Sequence, residues 1–498
     1  MNRIIIVILI SLLFFPGRVE AETVEKRDSV RSITLDEVIS IAGVKSVDAA
    51  VALNELKTAY WEYRTFRSEL LPEMNFMASL PSYNQDYNPY QQSDGSYTFV
   101  RNNYIGLNGT LSIDQNIWFT GGKISLSTSL DYFKQLDGDK QQRFMSIPVA
   151  LTLDQPIFSV NHIKWKRRIE PIRYEEAKAA YVSATEEVTM KAIQNFFNLL
   201  LAKERVLVAR QNMDNAEKLY EVAKAKRNMG QISENEVLQL ELNVLEARST
   251  LTDNVSNMKS SMFALRSFLA MDTDVILDPV LPESLPEFSL QYEDVLDKAM
   301  INSSFLKNIE RRHLETDYEV ATAKGELREM DLYVQFGLTD ADQNIGGAYK
   351  DMKTNQVLQV GLRIPLLDWG KRKGKVKVAE SNRDVILSKL RQEEQDFRQN
   401  IFILVENFNN QQQQLQLATA SDGIAQRRYH TNVETFMIGK ISTLDLNDSQ
   451  SKKDEARQKY IQELFNYWYY YYQIRSLTLW DFAAQTNIDA DFEKIIRQ

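Results

Sequence analysis

Two long stretches that lack helix-breaking residues place the strongest constraint on how this chain can fold. Residues 170–229 contain no glycine, and no proline after Pro171, so they can form one continuous helix. At 1.5 Å per residue, this helix would be about 90 Å long. Its counterpart, residues 375–438, contains one interior glycine, Gly423. Because helices of this length cannot fold back into a compact core, each one needs other long helices as partners.

The segment after Gly230 predicts what those partners are. Its apolar residues follow one another at steps of three or four: Val237, Leu240, Val244, Ala247, Leu251, Val255, Met258, Met262, Leu265 and Leu269. A mean step of about 3.5 residues is typical of a coiled-coil seam. The sequence therefore predicts a long helical hairpin.

The chain also repeats itself. Gly230-Gln-Ile-Ser233 returns as Gly439-Lys-Ile-Ser442, an offset of 209 residues. The segment around Pro156 returns around Pro365 with the same offset, whereas a weaker match between residues 69–74 and 326–330 has an offset near 257. Landmarks that keep one offset indicate a structural duplication, with an insertion of about 48 residues in the first copy.

Between the helices, several short segments alternate apolar with polar or small residues. Such segments occur near residues 74–80, 105–114, 124–132, 149–153, 332–338 and 358–362. A period of two fits transmembrane strands with a lipid face and a water face, and it equally fits a half-buried soluble sheet. Six strands are too few to enclose a channel, so a barrel would need several copies of the chain.

The first residues are those of an export signal. Arg3 precedes an apolar stretch from Ile4 to Phe15, and Val19-Glu-Ala21 forms a small-residue cleavage pattern. The apolar stretch is too short for a membrane-spanning helix, which needs about 20 residues. We therefore expect a signal peptide over residues 1–21 and a mature chain outside the cytoplasm.

These features predict the organisation of the chain. The first repeat covers residues 22–277, with a helix at 35–69, strands within 73–157 and a coiled-coil hairpin at 170–270. A proline-rich linker covers 278–290. The second repeat covers 291–475, with a helix at 292–328, strands within 331–365 and a hairpin at 371–475, and residues 476–498 form a C-terminal periplasmic tail.

Composition excludes several classes of function. The chain has no cysteine, so it has no zinc–thiolate site and no thiol nucleophile. Its formal net charge of -9 disfavours nucleic acid as a partner. The three histidines stand apart and no hydrolase or phosphate-loop motif is present. We therefore expect no enzyme activity, no catalytic residue, no cofactor and no metal site.

The order of these motifs resembles that of the TolC-like outer-membrane efflux proteins, over nearly the whole mature chain. The resemblance rests on four kinds of motif: Thr34-Leu-Asp-Glu-Val38 at a helix start, Leu71-Pro72 before the first strand, the strand ends Asp154-Gln-Pro-Ile-Phe158 and Ile364-Pro-Leu-Leu-Asp-Trp-Gly370, and the two Gly-x-x-Ser tips. One departure is that the family has two strands in each half, whereas the first half here has four. The extra pair could enlarge a barrel or pack outside it.

The resemblance implies a mainly α-helical protein with a transmembrane β-barrel. In that fold three copies share one β-barrel in the bacterial outer membrane, continued by an α-barrel across the periplasm. The implied function is a passive exit duct of a tripartite efflux or type I secretion system, whose partners are a periplasmic adaptor protein, an inner-membrane pump and outer-membrane lipid. The alternatives are a secreted coiled-coil scaffold without a pore and, less favoured, an exported carbohydrate-binding or hydrolytic protein.

The resemblance also assigns residues. The tips at Gly230, Ser233, Gly439 and Ser442 would dock the adaptor, and Pro156 and Pro365 would mark the strand-to-helix turns. Asp445 and Asp448 lie three residues apart on one helical face, where an acidic pair of the family rings the periplasmic entrance. The alternative is that both aspartates simply favour the N-terminal end of a helix. The sequence does not indicate the cargo.

Overall fold

The structure is a computed structural model that describes residues 29–137, 140–230, 232–272, 275–282, 288–363, 367–437, 440–441 and 443–497. The predicted signal peptide lies outside the described residues, as do Pro365, Gly439 and Ser442. The helices are α1 (Leu35–Lys45), α2 (Val47–Ser68), α3 (His162–Asn228), α4 (Glu234–Phe268), α5 (Tyr292–Asn302), α6 (Ser304–Gly325), α7 (Lys371–Met437), α8 (Thr443–Thr478) and α9 (Phe492–Arg497).

The strands are β1 (Ser29–Ile33), β2 (Glu73–Gln91), β3 (Tyr97–Asn116), β4 (Lys123–Gln135), β5 (Gln142–Pro156), β6 (Val275–Pro279), β7 (Glu329–Asp342), β8 (Lys353–Arg363), β9 (Trp480–Asp481) and β10 (Thr486–Asn487). A short 3-10 turn, Gly347–Tyr349, lies between β7 and β8. No helix within the described ranges is both long enough and apolar enough to cross a membrane.

The helices follow the predicted duplication. Helices α3 and α7 both contain 67 residues. They begin 209 residues apart, and so do α4 and α8, which complete the two hairpins. We call α3–α4 the first hairpin and α7–α8 the second hairpin. The predicted fold class, a mainly helical chain with long helical hairpins and antiparallel strands, is confirmed.

For two segments the prediction of one continuous helix is wrong, because a serine divides each segment into two helices. Residues 35–69 form α1 and α2 with a break at Ser46, and residues 292–328 form α5 and α6 with a break at Ser303. Both serines have extended backbone, with ψ of 148° and 153°. The Ser46 hydroxyl accepts a hydrogen bond from the Ala49 amide at 3.2 Å, as an N-cap does, and serine favours caps over helix interiors.

Other predicted boundaries also shift. Helix α3 begins at His162 rather than residue 170, because the Asn161 side chain accepts a hydrogen bond from the Lys164 amide at 2.8 Å and caps the helix earlier. Helix α8 continues to Thr478, past the predicted end at 475. The predicted linker at 278–290 begins as strand, since β6 pairs in parallel with β1 through Pro279. Proline is tolerated there because it ends an edge strand.

All six predicted strands join one antiparallel sheet, in the order β2-β3-β4-β5-β7-β8. The register produces rows of directly paired residues that cross the whole sheet. One row is polar or small: Asn75, Ser112, Ser127, Ala150, Gly337 and Asn355. The adjacent row, on the opposite face, is mostly apolar: Met74, Ile113, Leu126, Leu151, Phe336 and Gln356. The sheet thus has one wet and one dry face.

The hydrophobic core lies along the middle of the long helices. There Phe196 and Phe197 of α3 meet Phe408 of α7 and Tyr467 of α8, all fully buried. The rings of Phe408 and Tyr467 are stacked, with centroids 5.1 Å apart. Helices α1 and α5 cover this part of the long helices. The core therefore holds the two hairpins together at mid-length.

Candidate functional site at the hairpin ends and the strand-to-helix turns

The end of the first hairpin is a tight turn with a fully formed helix cap. Gly230 has φ +75°, a left-handed conformation that glycine adopts without strain. A Cβ at this position would meet no atom within 4 Å, so the backbone angle and not a lack of space requires glycine. Ser233 caps α4, and the Glu236 carboxylate accepts a hydrogen bond from the Ser233 amide at 2.8 Å. Ser233 is exposed.

The end of the second hairpin carries the predicted acidic pair. Gly439 and Ser442 lie outside the described residues, and Asp445 and Asp448 lie in the first turns of α8 with exposed side chains. The Asp448 carboxylate forms an ion pair with Arg428 of α7 at 2.7 Å, and both side chains are about half exposed. The backbone carbonyl of Asp445 accepts a hydrogen bond from Asn432 at 3.4 Å. The sequence analysis does not predict this basic partner of Asp448.

Further charges follow on the same face of α8. Lys452 and Glu455 pair at 2.9 Å. The hydrogen bond to Glu455 raises the pKa of Lys452, and the negative charge of Asp448 adds to this shift. The same hydrogen bond lowers the pKa of Glu455. The end of the second hairpin is therefore a mixed-charge surface in which acidic groups face nearby cations.

A polar seam, which sequence reasoning missed, joins the two hairpins behind this surface. Gln450 of α8 makes hydrogen bonds to Asn212 and to Asn215 of α3, the latter at 3.1 Å. Two turns further, Arg457 of α8 lies 3.2 Å from Glu204 of α3. Amide and charged residues on long helices look like solvated faces in a sequence, so only their cross-helix partners identify them.

The first strand-to-helix turn is built on the end of β5. Pro156 pairs with Asp331 of β7, and the chain then turns to the Asn161 cap of α3. The Asn161 side chain serves two elements: it caps α3, and its amide donates a hydrogen bond to the Trp118 carbonyl at 2.9 Å. The β3–β4 turn is thereby fixed to the start of α3.

The second strand-to-helix turn is described from residue 367 onward, so Pro365 itself is not placed. The Asp368 carboxylate accepts hydrogen bonds from the amides of Gly370 at 2.9 Å and Arg372 at 3.1 Å. These hydrogen bonds, that from Arg372 first, lower the pKa of Asp368. Asp368 therefore caps α7, as Asn161 caps α3.

Exposed aromatic and basic side chains surround these turns. Trp369 is 89% exposed, and Trp118 is half exposed with the Arg167 guanidinium 4.1 Å from its ring centroid. The basic residues of 164–168 and 371–377 follow directly on the two helix starts. Trp and cationic side chains together favour the interface between lipid and water.

A buried ion cluster lies at mid-height of the molecule. Arg475 of α8 contacts Glu186 of α3 at 2.9 Å and Asp481 at 2.6 Å. The Tyr471 hydroxyl donates a hydrogen bond to Asp481. The cluster lies where the C-terminal segment leaves α8, and removal of any one partner would leave a buried charge uncompensated. Within the described part of the chain, no group of three or more His, Asp or Glu side chains could hold a metal ion.

Comparison with solved structures shows a shared fold. The Campylobacter jejuni CmeC outer membrane channel matches with a TM-score of 0.65 and 16% identity, over 93% of this chain and 88% of that one. The outer membrane protein VceC of Vibrio cholerae matches with a TM-score of 0.60 and 12% identity, over 91% and 97%. The Neisseria gonorrhoeae MtrE outer membrane channel, in its open state, matches with a TM-score of 0.56 and 13% identity, over 89% and 88%.

No curated protein sequence matches the chain significantly. The family model described as outer membrane efflux protein, in contrast, matches residues 38–270 and 310–467, more than half of the chain. These two ranges include all six strands of the large sheet, the whole first hairpin, and the second hairpin as far as residue 467. The resemblance inferred from the sequence motifs is confirmed, and the chain belongs to the outer membrane efflux protein family.

Proposed function

We propose that three copies of this outer-membrane efflux channel assemble into one passive exit duct, which leads from the periplasm to the exterior. The chain belongs to the outer membrane efflux protein family, which is a family of channels and not of enzymes. The trimer, the shared barrel and the partners are the proposed part. An inner-membrane pump would supply the energy, and a periplasmic adaptor would join the pump to the duct.

One observation carries the proposal: a dry, exposed sheet face continues into very long helices. Phe76, Phe336 and Leu358 of the sheet are each more than half exposed, on the face that also carries Leu126 and Leu151. Exposed apolar surface of this extent calls for lipid or a partner. Helices of 67 residues, about 100 Å long, then provide a wall that reaches far from the membrane.

Relatives in fold support this reading. Those from Campylobacter jejuni and Neisseria gonorrhoeae are described as outer membrane channels. The hairpin ends lie at the far end of the helices from the sheet. We therefore propose that the adaptor docks around Gly230 and Ser233, and around the corresponding Gly439 and Ser442.

We also propose that Asp445 and Asp448 line the periplasmic entrance. Three copies would bring six carboxylates to one opening and attract cations. The Arg428 partner of Asp448 limits this attraction, because each ion pair offsets one negative charge. The entrance would then be less acidic than a count of its aspartates indicates.

The experiment is to purify the full chain from outer membranes in detergent and to measure its mass by light scattering and its conductance in planar bilayers. A trimer with discrete conductance steps is the expected result. A protein that a carbonate wash releases from the membranes, and that remains monomeric in buffer without detergent, would contradict the duct and support a coiled-coil scaffold.

A further inference from the structure

We infer that the inserted β3–β4 pair is part of the channel wall, so that three copies close a wall of eighteen strands, six from each chain. The partner that the free sheet edges fit is a second copy of this chain. The inference rests on the proposed trimer and adds the size of its outlet: the duct is wider in the membrane than one built from four strands per chain.

The first support is that the wet and dry faces continue through the inserted pair without a break. A second row on the wet face, adjacent to those already described, is polar except for its last residue: Glu73, Asp114, Ser125, Thr152, Gln335 and Val357. The inserted strands contribute Asp114 and Ser125 to this row, and Ile113 and Leu126 to the dry face. A hairpin that packed outside the wall would not need the same alternation in the same register as its neighbours.

The second support is a set of side-chain bonds on the wet face across three strands. Asp114 of β3 accepts hydrogen bonds from Asn75 of β2 at 3.2 Å and from Ser125 of β4 at 2.5 Å. Lys123 of β4 lies 3.4 Å from the same carboxylate. These bonds tie β3 to β2 on one side and to β4 on the other, and β4 in turn pairs with β5, so the inserted pair lies between β2 and β5 rather than attached at one side.

The third support is the β3–β4 turn, which is fitted to the strand-to-helix junction. Besides the Asn161 bond to Trp118, the Gln155 side chain donates a hydrogen bond to the Thr120 carbonyl at 3.2 Å. A Cβ on Gly122 would lie 2.9 Å from the Asp154 carbonyl oxygen, so the turn approaches β5 too closely for any side chain there. The turn thus lies at the level where β5 gives way to α3.

The two edges of the sheet identify the partner. The sheet ends at β2 on one side and β8 on the other, and within the described residues neither has a further strand beyond it. Each edge presents unpaired backbone groups, which a lipid environment cannot satisfy. The wet and dry rows reach both edges, so β8 of one copy can continue the pattern into β2 of the next.

Strand number sets the width of the wall. With strands about 4.8 Å apart and tilted by about 40°, twelve strands give a radius of about 12 Å and eighteen give about 18 Å. Equivalent Cα atoms in a three-fold trimer then lie about 21 Å or about 31 Å apart. A single spin label in each chain separates these values, and the chain has no native cysteine to interfere.

The test uses the full chain with Thr152→Cys, spin-labelled on the wet face of β5, and measures label-to-label distances in detergent-solubilised trimers by pulsed electron spin resonance. The comparison variant also lacks residues 97–135, which removes β3 and β4. The matched control lacks residues 86–102, which shortens the β2–β3 hairpin but keeps six strands. We expect the intact chain and the control to give the same label-to-label distance. In the comparison variant this distance should be shorter by about 10 Å.

A trimer whose intact chain gives the shorter distance would overturn the wider wall and leave the trimer standing. A chain that forms no trimer would overturn the proposed function as well. If the comparison variant does not fold, disulfide cross-linking in the full-length chain tests whether the inserted pair lies in the wall. Ser125→Cys with Thr152→Cys should cross-link β4 to β5 in membranes, whereas cross-linking of Glu73→Cys with Thr152→Cys, β2 to β5, would place the inserted pair outside the wall.

Discussion

At the scale of single residues, the ion pair between Arg428 and Asp448 decides how acidic the proposed entrance is. We expect Arg428→Ala to strengthen block of the channel by multivalent cations about two- to fivefold, because an exposed ion pair is worth up to about 1 kcal/mol. Replacing both Asp445 and Asp448 by Ala should weaken the block. Titration of a trivalent cation against single-channel current in planar bilayers measures both effects.

The matched control for this experiment is Glu493→Ala. Glu493 is an exposed acidic residue on α9, so its loss makes each chain less negative by about one unit, in the same direction as each aspartate substitution, at a distance from the hairpin ends. Unchanged block in the double aspartate variant would exclude both residues from the entrance.

A second residue-scale prediction concerns the Tyr471–Asp481 hydrogen bond. Burial alone would raise the pKa of Asp481, but the hydrogen bonds from Tyr471 and from backbone amides, together with Arg475, lower it. A lowered carboxyl pKa contributes stability that is present above its ordinary value of about 4 and is lost as the pH falls through the lower folded value. Tyr471→Phe should therefore lower the melting temperature at pH 7 and flatten its fall between about pH 5 and pH 2.

Thermal unfolding followed by circular dichroism measures this pH dependence. Hydrogen bonds to charged groups contribute about 1.5–3 kcal/mol, so the effect at pH 7 should be well resolved. Tyr470→Phe, on the same helix, is the control. If the melting temperatures of wild type and Tyr471→Phe depend on pH in the same way, the Tyr471 hydroxyl does not lower the pKa of Asp481.

At the scale of elements, the sequence predicts the long helices, the hairpins and the duplication, because the absence of Gly and Pro and the repeated offset are local properties of the chain. It does not predict the breaks at Ser46 and Ser303, since a serine inside an apolar periodic segment is compatible with a continuous helix. Nor does the sequence predict that Asn161 joins α3 to the β3–β4 turn, because its second partner, Trp118, lies 43 residues earlier in the chain.

Asn161 therefore offers an element-scale prediction. Asn161→Ala removes both the cap of α3 and the bond to the β3–β4 turn, and should cost about 1–2 kcal/mol of stability. Asn161→Asp keeps an acceptor for the Lys164 amide but has no donor for the Trp118 carbonyl. We expect limited proteolysis to cut the Asp variant near residues 117–122 while α3 remains protected.

Proteolysis by an enzyme of broad specificity, with fragments identified by mass spectrometry, checks this expectation. Cleavage within the first turns of α3 in the Asp variant would show that the cap, and not the bond to the turn, had been lost.

At the scale of the whole molecule, the order of elements could be predicted and their lateral arrangement could not. Alternation identifies six strands, yet it does not show which strands pair, and it is the pairing of each strand with its chain neighbour that places the inserted pair between β2 and β5. The polar seam of Gln450 with α3 is similar, since it forms only when the two hairpins lie side by side. The seam arises from contacts across the duplication and the strand order from backbone pairing, and no local pattern contains either.

The C-terminal segment also links the two repeats, because it returns from α8 to helices of both. Trp480 packs under Lys298 of α5, with the ammonium 3.6 Å from the ring centroid, and Phe492 meets Tyr181 of α3. Asp481 holds Arg475, and Phe482 is buried in the main core. Residues 480–497, which belong to the predicted C-terminal periplasmic tail at 476–498, therefore act as a strap at mid-height.

Truncation tests the strap. A chain that ends at Leu479 loses Asp481 and Phe482, leaves Arg475 with one buried partner fewer, and should be less stable by at least about 3 kcal/mol. A chain that ends at Ala490 keeps both residues and loses only α9, so its melting temperature should lie close to that of the full chain. Differential scanning calorimetry of the two truncated chains and the full chain in the same detergent compares them directly. Equal melting temperatures for the two truncations would mean that residues 480–490 add no stability, and that the Asp481 cluster does not hold the repeats together.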